Sequence, residues 1–209
     1  MSFAKSIPKE NFSCLTRLDH ERLRGSVSEK CSEVRSTRIS RSAVKNVAIF
    51  GNHSTTQVPY IGGATVELED GAIVPVTSIL NDKSWLYYEL IPKIQTRGAA
   101  IIKAQRVSSA VSAACAISKH LRDWIGPVQE SNEIFSMGIL STGNPYGVPE
   151  GLVYSFPCIR SGGRDSSTIR IKEGLALEQE ITALLQASAL ELINEREEAE
   201  GILGVKLGW

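Results

Sequence analysis

Three side chains in two short segments can perform acid–base chemistry beside an anionic ligand. Residues 15–22 read LTRLDHER and carry Asp19 and Arg22, and residues 49–54 read IFGNHS and carry His53. An imidazole changes charge near neutrality, with an ordinary pKa of about 6.5, so His53 can take a proton from a hydroxyl. A carboxylate hydrogen-bonded to the far ring nitrogen would fix the tautomer and stabilise the cation that forms. The planar fork of Arg22 can clamp a carboxylate with two parallel hydrogen bonds. Such a set suits oxidation of a secondary alcohol beside a carboxylate, in which a base takes the proton and a separate acceptor takes the hydride.

The elements carrying these groups must bring them together. If the chain is helical after Leu18, Asp19 and Arg22 stand three apart and share a face, while His20 and Glu21 point away. Residues 47–50 form a short apolar run ending in Gly51-Asn52, which places His53 at the end of a strand. Singly, an Asp-x-x-Arg pair on a helix is ordinarily a solvated ion pair, and a histidine after a strand is ordinarily a structural hydrogen-bonder. The functional reading rests on their joint occurrence.

Along the chain, residues 14–24 read as a helix and the Ser/Arg/Lys-rich stretch 25–42 as a long connection. Alternation across Glu69-Asp70-Gly71 predicts a hairpin over 64–76. Residues 83–95 carry Trp85, Leu86, Leu90 and Ile94 on an apolar stripe after the Asn81-Asp82 cap, with Pro92 arguing for a break and Trp85 for the core. Residues 98–125, rich in Ala and Ser, predict the longest helix. Strands follow at 134–140 and 152–156, joined by the turn residues of Asn144-Pro145-Tyr146-Gly147 and Pro149-Glu150-Gly151. Apolar positions from 175 to 200 recur at helical intervals, with an acidic face expected in solvent. The predicted class is α+β: a twisted, mainly antiparallel sheet covered by the 98–125 helix and the C-terminal helix.

Composition excludes several classes. With 209 residues, 42% hydrophobic content and zero formal net charge, the chain can build a substantial core, and nothing in its charge predicts binding to nucleic acid or anionic lipid. The basic stretch 35–41 lacks aromatics and reads as a solvated face. No run approaches the roughly 20 apolar residues that span a bilayer. Cys14, Cys31, Cys115 and Cys158 form no C-x-x-C pair, so no metal site is expected. Free thiols are expected, three of them in apolar contexts. No glycine group forms G-x-G-x-x-G between a strand and a helix, so the glycines mark turns and cradle no phosphate. The first twelve residues hold no hydrophobic signal region, and the expected location is the cytoplasm.

The words LTRLDHER, GNHS, RGAAIIKA (97–104), SSAVSAA (108–114) and GNPYGVPEGLVYSFP (143–157) together resemble the malate dehydrogenases of the cytosolic type. The resemblance implies the C-terminal, substrate-binding half of the lactate/malate dehydrogenase fold over residues 13–209, with residues 1–12 a remnant linker and the Rossmann domain absent. It implies malate and oxaloacetate as substrates, NAD as cofactor and a place in the tricarboxylic acid cycle. His53 would be the proton acceptor, Asp19 its partner, Arg22 the substrate clamp and Ser109 a substrate-adjacent serine. Association as a dimer, or with a full-length homologue, is implied too. The expectation is a truncated chain that is inactive alone. The alternative is a non-catalytic dimerisation or regulatory partner of an intact malate dehydrogenase.

Overall fold

Every strand pairing in the computed structural model, which describes residues 4–126, 133–161 and 168–207, is antiparallel. The first helix, α1 (Arg17–Arg35), runs well past the expected end at residue 24. Leu23, Val27 and Cys31 recur every fourth position and are fully buried, so their stripe carries the helix through Gly25 and the polar residues around it. The expected long connection shrinks to a few residues. Ser36 ends the helix in the left-handed region, donating its N–H to Ser32 and Glu33 carbonyls. The basic residues Arg35, Arg38 and Arg41 are exposed, as expected of a solvated face.

Two short strands, β1 (Val44–Lys45) and β2 (Ala48–Phe50), follow. β2 pairs with β3 (Val58–Tyr60), and between them lies the segment that bears His53. The predicted hairpin forms as β4 (Thr65–Glu67) and β5 (Ile73–Pro75), and β1 adds to its edge. A single helical turn, α2 (Val76–Ile79), leads to a π-helical segment, Trp85–Leu90, that passes into α3 (Ile91–Gln105). The predicted break at Pro92 is absorbed here: Ile91 donates to the Leu86 carbonyl, five residues back, so the wider turn accommodates a ring that cannot donate. Trp85 is buried, as predicted.

The expected single helix over 98–125 is two helices. Arg106 closes α3 in the left-handed region, and α4 (Ala110–Ile125) starts after Ser109. Serines compete for the backbone and favour helix ends, and Val107-Ser108-Ser109 supplies little to hold a helix across this point. α4 packs chiefly on α1, with Trp124 reaching the core of the large sheet, while α3 meets both α1 and β3.

The largest sheet comprises β6 (Phe135–Leu140), β7 (Val153–Ser161) and β8 (Thr168–Ile171), in that order. β8 was not anticipated. Isolated bridges tie Cys14 to Gly138 and Gly51 to Ser155, linking the start of α1 and the His53 segment to this sheet. The last helix, α5 (Gln179–Leu203), buries Ile181, Leu185, Ser188 and Ala189. Two apolar cores result. One gathers Phe50, Tyr60, Met137, Tyr154, Phe156 and Leu185 between the large sheet and α5, and the other gathers Leu23, Val27, Val66, Trp85, Leu90 and Ile94 beneath α1. Of the three cysteines expected to be buried, the structure buries two, Cys31 and Cys158, leaving Cys14 and Cys115 exposed.

Candidate active site

Asp19 stands in the first turn of α1 with no exposed side-chain surface, and it is shared. Its Oδ1 accepts from Arg22 Nη1 at 2.9 Å, and its Oδ2 accepts from His53 Nδ1 at 2.6 Å. The helical spacing thus puts acid and arginine on one face, and the exit from β2 delivers the histidine to it. Arg22 is nearly buried, at 11% exposure, and its guanidinium lies in ordinary contact range of a Cβ placed on Gly98 of α3.

His53 differs from its two partners in keeping 57% of its side chain exposed. With Nδ1 committed to Asp19, the ring's other nitrogen is the one available to a ligand. The hydrogen bond to Asp19 holds the imidazole pKa above its ordinary value; burial works against that, the Asp19 charge reinforces it and Arg22 opposes it. The set is therefore an acid–base group with a fixed tautomer, oriented by a buried carboxylate and flanked by a guanidinium.

The segment after β2 is held from the opposite end of the sequence. Gly51 exchanges backbone hydrogen bonds with Ser155 on β7, and the Asn52 N–H donates to Ser188 Oγ of α5 at 2.8 Å. Asn52 Nδ2, Ser54 Oγ and Thr56 Oγ1 all donate to Glu191 Oε2, at 3.0, 2.5 and 2.5 Å, and Asn52 Nδ2 also donates to Glu195. Glu195 is exposed, as expected of the acidic face 195–200, whereas the role of partly buried Glu191 was not anticipated. The available signal was the spacing of Ser188, Glu191 and Glu195, which repeat on one helix face at intervals of three and four.

Ser109 is half-buried at the N-cap of α4, and its side chain caps nothing there. Among the described residues it makes no side-chain hydrogen bond to Asp19, Arg22 or His53. The expectation that His20 and Glu21 point away from the cleft holds, but both enter the interior. His20 is buried with Nδ1 2.9 Å from Ser136 Oγ, and burial, reinforced by Arg17, Arg24 and Lys119, pushes its pKa well below the usual range. Glu21 meets Arg17, Arg24 and Lys119.

A profile of the lactate/malate dehydrogenase alpha/beta C-terminal domain matches residues 16–202. The chain belongs to this family. It is 47% identical over 197 residues to cytoplasmic malate dehydrogenase of Felis catus, covering 94% of this chain and 55% of that one. It is 44% identical over 194 residues to cytoplasmic malate dehydrogenase of Zea mays, covering 93% and 54%. The chain thus spans about half the length of the curated relatives it matches. Among solved structures, Trichomonas vaginalis lactate dehydrogenase in complex with NADH and oxamate superposes with TM-score 0.83 at 29% identity, covering 96% of this chain and 57% of that one. Malate dehydrogenase from Naegleria fowleri gives 0.77 at 37% identity, covering 95% and 56%.

The described residues do not make a dinucleotide cradle. That cradle uses parallel strands with a glycine turn leading into a helix N-terminus, whereas every strand pair among the described residues is antiparallel. What they do bring together is buried Asp19 with Arg22 and His53.

Proposed function

We propose that this chain is the substrate-binding and proton-transfer half of a cytoplasmic NAD-dependent malate dehydrogenase. The observation that carries the reading is the shared carboxylate: buried Asp19 holds Arg22 at 2.9 Å and the half-exposed His53 at 2.6 Å. In this reading Arg22 clamps the carboxylate beside the reacting carbon, and His53 takes the hydroxyl proton during malate oxidation and returns it during oxaloacetate reduction. Asp19 fixes the ring and stabilises its cation. Ser109, at the junction of α3 and α4, is assigned to the substrate rim. The nicotinamide would supply the hydride acceptor, and no residue described here is assigned to hold it. Residues 13–209 form the substrate domain and 1–12 lead into it.

The family likeness supports the substrate class, and the cytoplasmic relatives support the location. No helix among the described residues is long and apolar enough to cross a membrane.

A second reading is favoured by one observation. The helix pair α3–α4 exposes Ile102, Val107, Val111, Ile117, Leu121 and Ile125, an apolar face suited to a dimer partner or a full-length homologue. Two measurements test the readings, and the first separates them. Malate added at millimolar concentration should shift the His53 ring resonances, and Arg22→Ala should abolish the shift. The purified chain supplied with malate and NAD should give no more NADH than its His53→Asn variant. Absence of any His53 response would overturn the substrate-site reading in favour of a purely associative role.

A further inference from the structure

The contact with Asp19 orients the His53 ring but does not by itself fix the backbone that carries it. It is a single hydrogen bond at one ring nitrogen, and with 57% of the side chain exposed, packing does little to hold the ring. A proton-transfer group must nevertheless be held to within about half an ångström to be useful. The restraint on the backbone either side of the ring comes from α5. Asn52 precedes His53 and Ser54 follows it, and both donate to one oxygen of Glu191, as does Thr56 two residues on. The Asn52 N–H is fixed separately by Ser188 Oγ, which also lies 2.9 Å from Thr56 Oγ1.

The chain makes room for this attachment. Gly51 sits at φ +97°, where a Cβ would stand 2.4 Å from Ser188 Oγ, so only glycine permits both the backbone turn and the close approach of α5. At Glu191, partial burial disfavours the ionised form, but the hydrogen bonds from Ser54, Thr56 and Asn52 outweigh it and hold the carboxyl below its usual range. The carboxylate stays an acceptor.

We infer that α5 holds His53 in register with Asp19, with Glu191 acting as a positioning residue for the ring and Ser188 as the anchor of the backbone before it. This rests on the reading of His53 as the proton-transfer group. The charged groups around the segment are Asp19 and Arg22 from α1 and Glu191 and Glu195 from α5.

The test reads the ring directly and needs no turnover. The chain has three histidines, of which His20 and His120 are buried, so an NMR pH titration resolves His53 in the intact chain. Glu191→Ala and Ser188→Ala should each move the His53 midpoint down toward the ordinary histidine value. Ser188→Ala should also speed hydrogen exchange at the Asn52 amide by about tenfold. Glu191→Gln keeps an acceptor oxygen without the charge, so its midpoint should stay closer to wild type than that of Glu191→Ala. If Glu191→Gln falls as far as Glu191→Ala while Ser188→Ala does not move, Glu191 acts as a distant charge and the inference is overturned. Folded variants with unmoved midpoints overturn it too. Ser188→Ala, which removes one hydroxyl, carries the test if Glu191→Ala does not fold. A wild-type His53 titrating at the ordinary value would instead overturn the Asp19 pairing, and the reading of the site with it.

Discussion

Helix α1 carries two charged clusters on different faces, and they differ in how far their end groups are exposed. On one face Arg17 reaches Glu21 at 3.0 Å and Asp123 at 2.9 Å, Arg24 reaches Glu21 and Glu133, Lys119 reaches Glu21, and Lys45 reaches Glu133. Cations from α1, β1 and α4 converge there on three acids, tying α4 and the entry to β6 onto the helix. On the other face Asp19 joins Arg22 and His53, and the chain of contacts ends at a half-exposed ring. One cluster closes on itself and fastens elements together, whereas the other ends in an acid–base group facing outward. Burial and charge alone would rank the first cluster higher. The open end is the feature on which the second is proposed as the site.

The largest effect should separate the clusters by stability. Glu21→Ala removes the acid shared by Arg17, Arg24 and Lys119 and leaves buried cations short of a partner, so urea unfolding should show a loss of about 3 kcal/mol. The His53 titration should not change, and a change would mean that the clusters are one. Asp19→Asn should do the reverse. It keeps the shape and loses the charge, so the His53 midpoint should fall, at a stability cost of about 2 kcal/mol from the weakened hold on Arg22. Gly51→Ala comes next: the strained backbone and the clash with Ser188 should cost on the order of 1–3 kcal/mol by thermal melt and lower the His53 midpoint as well.

Smaller still is the pH dependence. The His53 pKa is raised in the folded state, so the Asp19 contact contributes its full stability below about pH 6.5 and loses it as pH rises through the folded value. The exposed ring keeps the amplitude modest. Unfolding free energies of wild type and His53→Gln should converge above the histidine range, and parallel curves at all pH values would contradict the pairing. The smallest effect is expected at the exposed Lys30–Glu33 pair, where Lys30→Ala should change stability by less than about 0.5 kcal/mol.

What was legible in the sequence was local. Asp19 and Arg22 stand one helical turn apart, the Asp70-Gly71 turn writes its hairpin directly, and the Val47–Phe50 run ends where the chain leaves β2. What was not legible depended on partners far along the chain. The stripe of Leu23, Val27 and Cys31 was hidden among serines and arginines, and only its burial beneath α1 makes it decisive. The stop at Arg106 depends on one left-handed residue that composition does not announce. Four-residue β8 has no pairing signal apart from β7. The role of Glu191 was not legible because its donors, Asn52, Ser54 and Thr56, lie in the first third of the sequence.

The placement of the thiols offers a means of timing how the molecule opens. Cys31 belongs to the core under α1 and Cys158 to the core between the large sheet and α5, while Cys14 and Cys115 lie at the surface. Burial pushes the Cys31 thiol up to about 11 and the Cys158 thiol higher still, so neither is reactive while its core is shut. A thiol reagent should therefore modify two sites at once and the remaining two only as each core opens. The order in which Cys31 and Cys158 become modified reports which half of the molecule gives way first, a clock built from native residues with no label introduced.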